Sequence, residues 1–247
     1  MASCLVLCWI TVGRTRWRIK AKSSQIAAET LLFSPKPRSR PICNLYKPRQ
    51  TAAEIARLFS AVDRTGNHPW PEDAYPDRLA PIIRHGEDGP EIVQARWGMP
   101  TPPAYLPKSG RDGGVTNIRN VASSHWRRWL TPEHRCLVPL TAFSEPGSDR
   151  KPVWFRMTDD TPIMLAGIEV RSWRSIRKVR DGETTDDLFG FLTCPPNAEV
   201  AAIHPKAMPV ILRGPDEWEA WMNLPWDAAR ALQRPLPDGA LTVIRRD

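Results

Sequence analysis

Proline falls so often in this chain that no long helix can run through it. Twenty-six of the 247 residues are proline, and each fixes φ and removes a backbone donor. The fold must therefore be assembled from short elements joined by stiff turns rather than from a long helical bundle. The length suits one good core or two small ones. No apolar run approaches the roughly 18–20 residues of a membrane span, so no membrane partner is expected.

Between the prolines the patterning alternates short strands with shorter helices. Thr51 caps a predicted helix over 52–59, with Glu54 at the capping-box position and Ile55, Leu58 and Phe59 on one face. Segments 80–83 and 91–100 read as a strand pair around the hairpin-type loop 85–89. Residues 115–119 read as a short strand on which Asn117 and Arg119 share a face. A helix is predicted over 121–130, then a strand over 137–143 that delivers Ser144 and Glu145. Segments 153–157 and 163–170 read as an antiparallel pair joined by the polar turn 159–162, and 174–187 as a charged loop. Strands are predicted at 188–194, 208–212 and 241–244. Helices are predicted over 197–203, ending at His204, and over 215–222. Together these make a mixed α+β, mainly antiparallel sheet domain.

The formal net charge of +8 suggests nucleic acid until its location is considered. Residues 1–42 hold eight Lys or Arg and one acid, Glu29, a net of +7. The remaining 205 residues carry 27 basic and 26 acidic groups, a net of +1. Nucleic-acid binding by the main domain must rest on local patches. The first 42 residues begin apolar and turn basic, the reverse order to a secretory signal. Their Arg- and Ser-rich, acid-poor character fits an organelle transit peptide as an alternative, but an unstructured extension, a propeptide or a start assigned too early is the reading adopted. The domain boundaries are thus 1–42 and 43–247.

The five cysteines form no CxxC pair and their number is odd, which argues against a disulfide framework or a zinc site and for a reducing compartment. Cys136 and Cys194 lie in apolar runs and read as core residues. Four polar stations stand at the edges of apolar elements: Cys43, Asn117 with Arg119, Glu145, and His204. A thiol, a carboxylate and an imidazole supply a nucleophile, a proton donor and acceptor, and an orienting group. By spacing alone the signal is weak. A histidine at a helix end is commonly a satisfied structural residue, and Glu145 beside Pro146-Gly147 also fits a turn carboxylate.

Five motifs in order carry more. They are Cys43-Asn44-Leu45-Tyr46, Arg96-Trp97-Gly98-Met99-Pro100, Thr116-Asn117-Ile118-Arg119-Asn120, the run from Cys136 to Glu145, and the run from Ile203 to Leu212. In these the chain from Cys43 to about Ile244 resembles the SOS-response-associated peptidase (SRAP) family. The resemblance implies an α+β single domain with a barrel-like, mainly antiparallel β core and several short helices. It implies that Cys43 becomes the mature N-terminus, that Asn117 positions it, that Arg119 lies near the DNA backbone, and that Glu145 and His204 are the catalytic pair. Members of the family sense abasic sites in single-stranded DNA and crosslink to them, and their peptidase activity is the self-processing that exposes the cysteine. No metal or organic cofactor is implied. The partner implied is single-stranded DNA with abasic sites, bound by a monomer in the bacterial cytoplasm.

The chemistry also follows from the residue type. An open abasic sugar is an aldehyde. A free α-amine, with pKa near ~7.7–8, forms an imine with it, and the thiol of the same residue then closes a five-membered thiazolidine ring. Only an N-terminal cysteine holds both nucleophiles at that spacing. For DNA contact the candidates are Arg119, Trp97, Arg127, Arg128 and Lys206, with His125, Trp126 and Trp129 nearby. Lys206 would meet phosphate as a point charge, without the bidentate fork of arginine. Trp126 and Trp129, at i and i+3, read first as core, and Arg127 and Arg128 also fit a solvated helix face.

Two other readings remain open at this level: a thiol peptidase acting on other proteins, with Cys43 as nucleophile and His204 as base, and a noncovalent DNA-binding protein whose Cys43 is acylated. The family pattern places a removable Met before the cysteine, where this chain has Ile42. Translation starting at codon 42, read by initiator Met, is the expectation, with self-cleavage of a 42-residue propeptide as the rival.

Overall fold

The computed structural model describes residues 5–12, 15–22, 44–48, 51–66, 69–159 and 161–244. The chain divides into two units, residues 1–40 and 41–247. In the first, β1 (Leu5–Val12) and β2 (Thr15–Lys22) pair antiparallel, from Leu5 opposite Lys22 to Val12 opposite Thr15. Within an extension expected to be unstructured, these two stretches therefore form a hairpin.

The second unit runs β3 (Leu45–Lys47), α1 (Ala52–Phe59), β4 (Val62–Asp63), β5 (Leu79–Gly86), β6 (Gly89–Trp97), β7 (Asn117–Ile118), α2 (Ser124–Arg127), β8 (Arg135–Leu140) and β9 (Ala142–Pro146). It continues through β10 (Pro152–Met157), β11 (Ile163–Ser175), β12 (Thr184–Cys194), α3 (Ala198–Ala201), β13 (Met208–Pro209), β14 (Ile211–Arg213), α4 (Gly214–Asn223), α5 (Trp226–Ala229) and β15 (Leu241–Ile244). Strand β12 pairs with β11, β11 with β8, β8 with β5, and β5 with β6, all antiparallel. Strand β6 then returns to β12, with Arg96 opposite Leu188 and Trp97 opposite Phe189. A ring of five strands cannot alternate direction all the way round, so one junction must be parallel; β6–β12 is that junction. The result is a closed, mainly antiparallel barrel within an α+β domain. A second, four-stranded sheet has the order β15-β10-β9-β3.

The two sheets are joined by a corner at Thr141. Leu140 still pairs with Ile163 in the barrel, whereas Ala142 already pairs with Lys47 in the second sheet, and the Thr141 N–H donates to the Lys47 carbonyl at 2.9 Å. The continuous strand expected over 137–143 is thus broken where it changes sheets. A similar pivot at Val210 splits the expected strand over 208–212. Met208–Pro209 pairs with β12 and Ile211–Arg213 with β11, while Val210 bonds both, through Leu192 O and Ala166 N.

Other expectations are corrected by the same topology. The segments 153–157 and 163–170 do not pair with each other. Strand β10 lies between β9 and β15, and β11 lies against β8 and β12, so the turn between them carries the chain from one sheet to the other. The charged stretch 174–187 is mostly the outer end of the β11–β12 hairpin, with Arg174 opposite Thr185 and an irregularity between Val170 and Trp173. The helix predicted over 121–130 shrinks to Ser124–Arg127, capped by the Ser123 hydroxyl. Trp126 on this short helix, and Trp129 and Leu130 in the turn that follows it, are sunk into the core. Helix α1 has the predicted bounds, with Thr51 as its cap and Ile55 buried, while Leu58 stays 41% exposed.

The barrel interior is aromatic at the end nearest β3. Trp97 lies 5.2 Å from Tyr46 edge-on and 5.2 Å from Phe191 in a stacked pair, and all three are fully buried. Tyr46 also exchanges backbone hydrogen bonds with Ala74. Short as it is, β3 is anchored by this ring contact.

Candidate active site

The anchored Tyr46 fixes the residues just before it. Asn44 immediately precedes β3, and its side-chain oxygen accepts from the Thr116 hydroxyl at 3.4 Å. Thr116 Oγ1 in turn accepts from Asn117 Nδ2 at 2.9 Å. Thr116 is held from behind, because the Trp97 indole N–H donates to its carbonyl at 3.2 Å. Asn117 and Ile118 run parallel to β12, opposite Phe191 and Leu192. Gly190 makes room for that approach: a Cβ there would lie 3.1 Å from Val115 O and 3.3 Å from Thr116 O.

The loop before Thr116 is pinned at both ends. Met99 and Val115 exchange backbone hydrogen bonds, and the Asp112 carboxylate accepts from Thr101 and from Gly114 N. Buried Arg177 donates to Gly98 O at 2.5 Å; burial pushes its guanidinium pKa down. Gly114, at φ +75°, crosses Gly98 closely enough that a Cβ would come within 3.0 Å of the Gly98 Cα.

Glu145 arrives from the opposite side. Ser144 pairs with Leu45, so continuing the antiparallel register by one residue brings Asn44 level with Glu145. Glu145 is fully buried and faces Val153 across β10. Beside it, Asn44, Ser144, Pro146 and Arg150 line an open pocket of about 170 Å³. Arg150 reaches that pocket from a tight turn in which Gly147 N donates to Lys151 O.

His204 follows α3. Asn197 caps that helix by accepting from Val200 N at 3.2 Å, and the His204 N–H closes it on Val200 O at 2.7 Å. His204 is only 3% exposed. Its loop leads straight into β13, which pairs with the end of β12. Arg119 Nη1 donates to Lys206 O in this loop at 3.3 Å. The segment 116–119 therefore ties the strand start that bears Asn44 to the loop that bears His204. Cys43, one residue before Asn44, lies outside the described residues.

A family profile described as SOS response associated peptidase (SRAP) matches residues 42–245. The chain belongs to this family. Membership supports an SOS-response-associated, peptidase-like function. Solved structures similar to the chain include a Bordetella bronchiseptica protein at 24% identity and TM-score 0.64, spanning 83% of this chain and 100% of that one. A Bacteroides thetaiotaomicron protein has 21% identity and TM-score 0.66, spanning 83% and 93%. A phage-related protein of Bordetella bronchiseptica has 16% identity and TM-score 0.58, spanning 83% and 95%. At these identities the likeness is one of fold. No curated protein matches the sequence.

Within the SRAP domain the expected cationic residues are distributed unevenly. Arg119 and Lys206 are exposed and adjacent. Arg127 is exposed and rests on the Ala122 carbonyl. The Arg128 guanidinium lies 4.0 Å from the Trp129 ring centre and 5.6 Å from that of Trp173. Trp97 departs from expectation: it is fully buried, so it offers no face to DNA and serves instead to hold Tyr46 and Thr116. Trp126 and Trp129, 6% and 3% exposed, are core residues. Thr116 and Arg150 were not singled out from sequence. Thr116 had a readable signal, a hydroxyl beside Asn117, whereas nothing local marked a turn arginine.

Cys136 and Cys194 are free and buried. Burial pushes the Cys136 thiol well above the ordinary range and the Cys194 thiol up to about 12, so neither supplies a thiolate near neutral pH. Among the described residues no group of three His, Cys, Asp or Glu could hold a metal ion, and no helix is long and apolar enough to cross a membrane.

Proposed function

We propose that the SRAP domain captures abasic sites in single-stranded DNA covalently through Cys43 as its N-terminal residue. The observation that carries this reading is the hydrogen-bond chain from Asn117 through Thr116 to Asn44, which fixes an uncharged amide beside the residue that follows Cys43. The α-amine adds to the sugar aldehyde and expels water, giving an imine. The thiol then adds across the C=N bond, its proton passing to nitrogen, and closes the thiazolidine. The net change is the loss of one water. Glu145, buried and level with Asn44, is the proton shuttle for imine formation and reversal. His204 protonates the sugar oxygen as its ring opens, and Arg119 and Lys206 hold the flanking phosphates. A transient β-lyase reaction through the imine competes until ring closure removes the imine.

This chemistry requires that the bond between Ile42 and Cys43 be broken or never made, by self-processing or by a start at codon 42 with Met removal. In either case the protein acts in the cytoplasm as a monomer on damaged single strands. The test is to incubate protein beginning at Cys43 with an oligonucleotide carrying one abasic site, and to measure the mass of the product. A heat-stable adduct equal to the sum minus one water is expected, and acetylating the terminus should abolish it. An adduct that survives acetylation, or none from the free terminus, overturns the proposal. Proteolysis of an added substrate that persists after acetylation would favour a thiol peptidase.

A further inference from the structure

Beyond the Asn117–Arg119 segment lies an open groove of about 600 Å³ to which none of the site residues above contributes a side chain. It is lined by Val121, Ala122, Trp226, Asp227, Arg230 and Gln233, among others. The groove is bonded to the segment that bears Asn117 and Arg119. Gln233 Nε2 donates to the Arg119 carbonyl at 3.0 Å and to the Thr193 carbonyl at 3.0 Å, so its wall is bonded to the strand that bears Asn117. Arg127 grips the Ala122 carbonyl on the same rim. Trp226 forms the aromatic part of the lining. One side of its ring meets Trp221 edge-on at 6.3 Å, with the buried Arg135 guanidinium 5.8 Å away, which holds the indole in place while it remains partly exposed.

We infer that this groove is a second subsite for single-stranded DNA, taking one nucleotide that flanks the position held at Arg119. The inference rests on the single-strand reading proposed above. A base finds an aromatic partner in Trp226, and stacking of that kind tolerates any base. The phosphate finds Arg230, which is exposed and has no ion-pair partner among the described residues. The volume falls in the range of ligand-binding clefts, and Arg119, Arg127 and Lys206 are exposed cations on segments bonded to the groove wall or to one another. Asp227 also lines the groove. Its carboxylate repels phosphate, so the backbone must pass on the Arg230 side, and removing that charge should help binding.

The two charges therefore give a test of opposite sign that leaves the buried core untouched. Binding of a labelled single-stranded oligonucleotide carrying one tetrahydrofuran abasic analogue, which has no aldehyde and cannot form an imine, is measured by fluorescence anisotropy across a salt series. Arg230→Ala should weaken binding and reduce the slope of log affinity against log salt by about 0.7, the loss of one phosphate contact. Asp227→Asn should tighten binding. Trimming the oligonucleotide on one side of the abasic position, but not on the other, should erase the difference between Arg230→Ala and the wild type. An unchanged slope in Arg230→Ala, a neutral Asp227→Asn, or equal effects of trimming on both sides overturns the subsite. Crosslinking by the wild type is scored separately. Its absence beside a changed slope condemns the covalent reading alone, and its presence beside an unchanged slope condemns the groove alone.

Discussion

The Trp97 indole N–H donates to the Thr116 carbonyl while the same ring abuts Tyr46 at 5.2 Å. One buried side chain thus positions both partners of the Asn44–Thr116 contact. Trp97→Phe leaves the ring contact partly in place and removes one of the two donors on the Thr116 carbonyl, which keeps the Phe191 N–H at 3.3 Å, and should cost about 1 kcal/mol. Trp97→Ala adds a cavity and should cost about 3–5 kcal/mol. Urea melts measure both. The Phe variant should also lose crosslinking rate at temperatures where it remains folded, since Thr116 is then held from behind by the Phe191 N–H alone.

Arg84 and Glu169 should respond unequally to removal. Glu169 is fully buried and accepts from Arg84 and Arg171. Burial pulls Arg84 down, but Glu169, then Asp187 and Glu91, outweigh it and hold the guanidinium above its ordinary value. Burial pushes Glu169 up, against the pull of Arg84 and Arg171. Arg84→Met leaves the Glu169 charge buried with Arg171 alone and should cost about 3–5 kcal/mol. Glu169→Gln leaves Arg84 with Glu91 and Asp187 and should cost less than about 2 kcal/mol. Equal losses in denaturant titrations would contradict this asymmetry.

Cys194 should make the domain sensitive to alkali. Burial keeps its thiol protonated up to about 12, against an ordinary value of 9.0. The native state therefore holds this proton more tightly than the unfolded chain. The stability so gained is complete below about pH 9 and is lost as pH climbs from there toward 12. Cys194→Ala should flatten the loss of thermal stability over that window. At pH 8 a disulfide reagent should label Cys43 at once in protein beginning there, and Cys136 and Cys194 only after unfolding.

Asn117 offers a pH test of the proposed chemistry. Asn117→Asp places a carboxylate beside the proposed site of the α-amine and should raise the amine pKa above its usual ~7.7–8. The crosslinking rate should then rise at higher pH than in the wild type. Asn117→Ala should slow the reaction without moving the profile, because it removes the hydrogen bond from the Asn117 side-chain amide to the Thr116 hydroxyl but adds no charge. A profile that stays in place in both variants would count against the α-amine as nucleophile.

Some features were legible in the chain because they depend on neighbours in sequence. Thr51 three residues before Glu54 set the bounds of α1. The helix expected over 197–203 forms at Ala198–Ala201, and short apolar runs bounded by turn residues marked β5, β6 and the inner part of β12. The order of the five motifs carried the family and most of the candidate site. Helix 121–130 was overestimated because Trp126, Trp129 and Leu130 fit a helical stripe equally well when one short helical turn and the turn after it bury them. The contact assigned to Trp97 was misread because an aromatic beside arginine looks the same in sequence whether it faces solvent or core.

By itself the sequence determined that short strands and capped turns would build an α+β domain, that the charge sits mainly in residues 1–42, and that Cys43, Asn117, Glu145 and His204 are the candidate site residues. Only the tertiary structure decided which edges meet. The closure of five strands through the parallel β6–β12 junction, the sheet change at Thr141 and the pivot at Val210 all depend on pairings between residues far apart in the chain. Local propensity carries no information about such pairings. They are selected by the burial of Trp97, Tyr46 and Phe191 in one interior, and that burial sets Asn44 against Thr116.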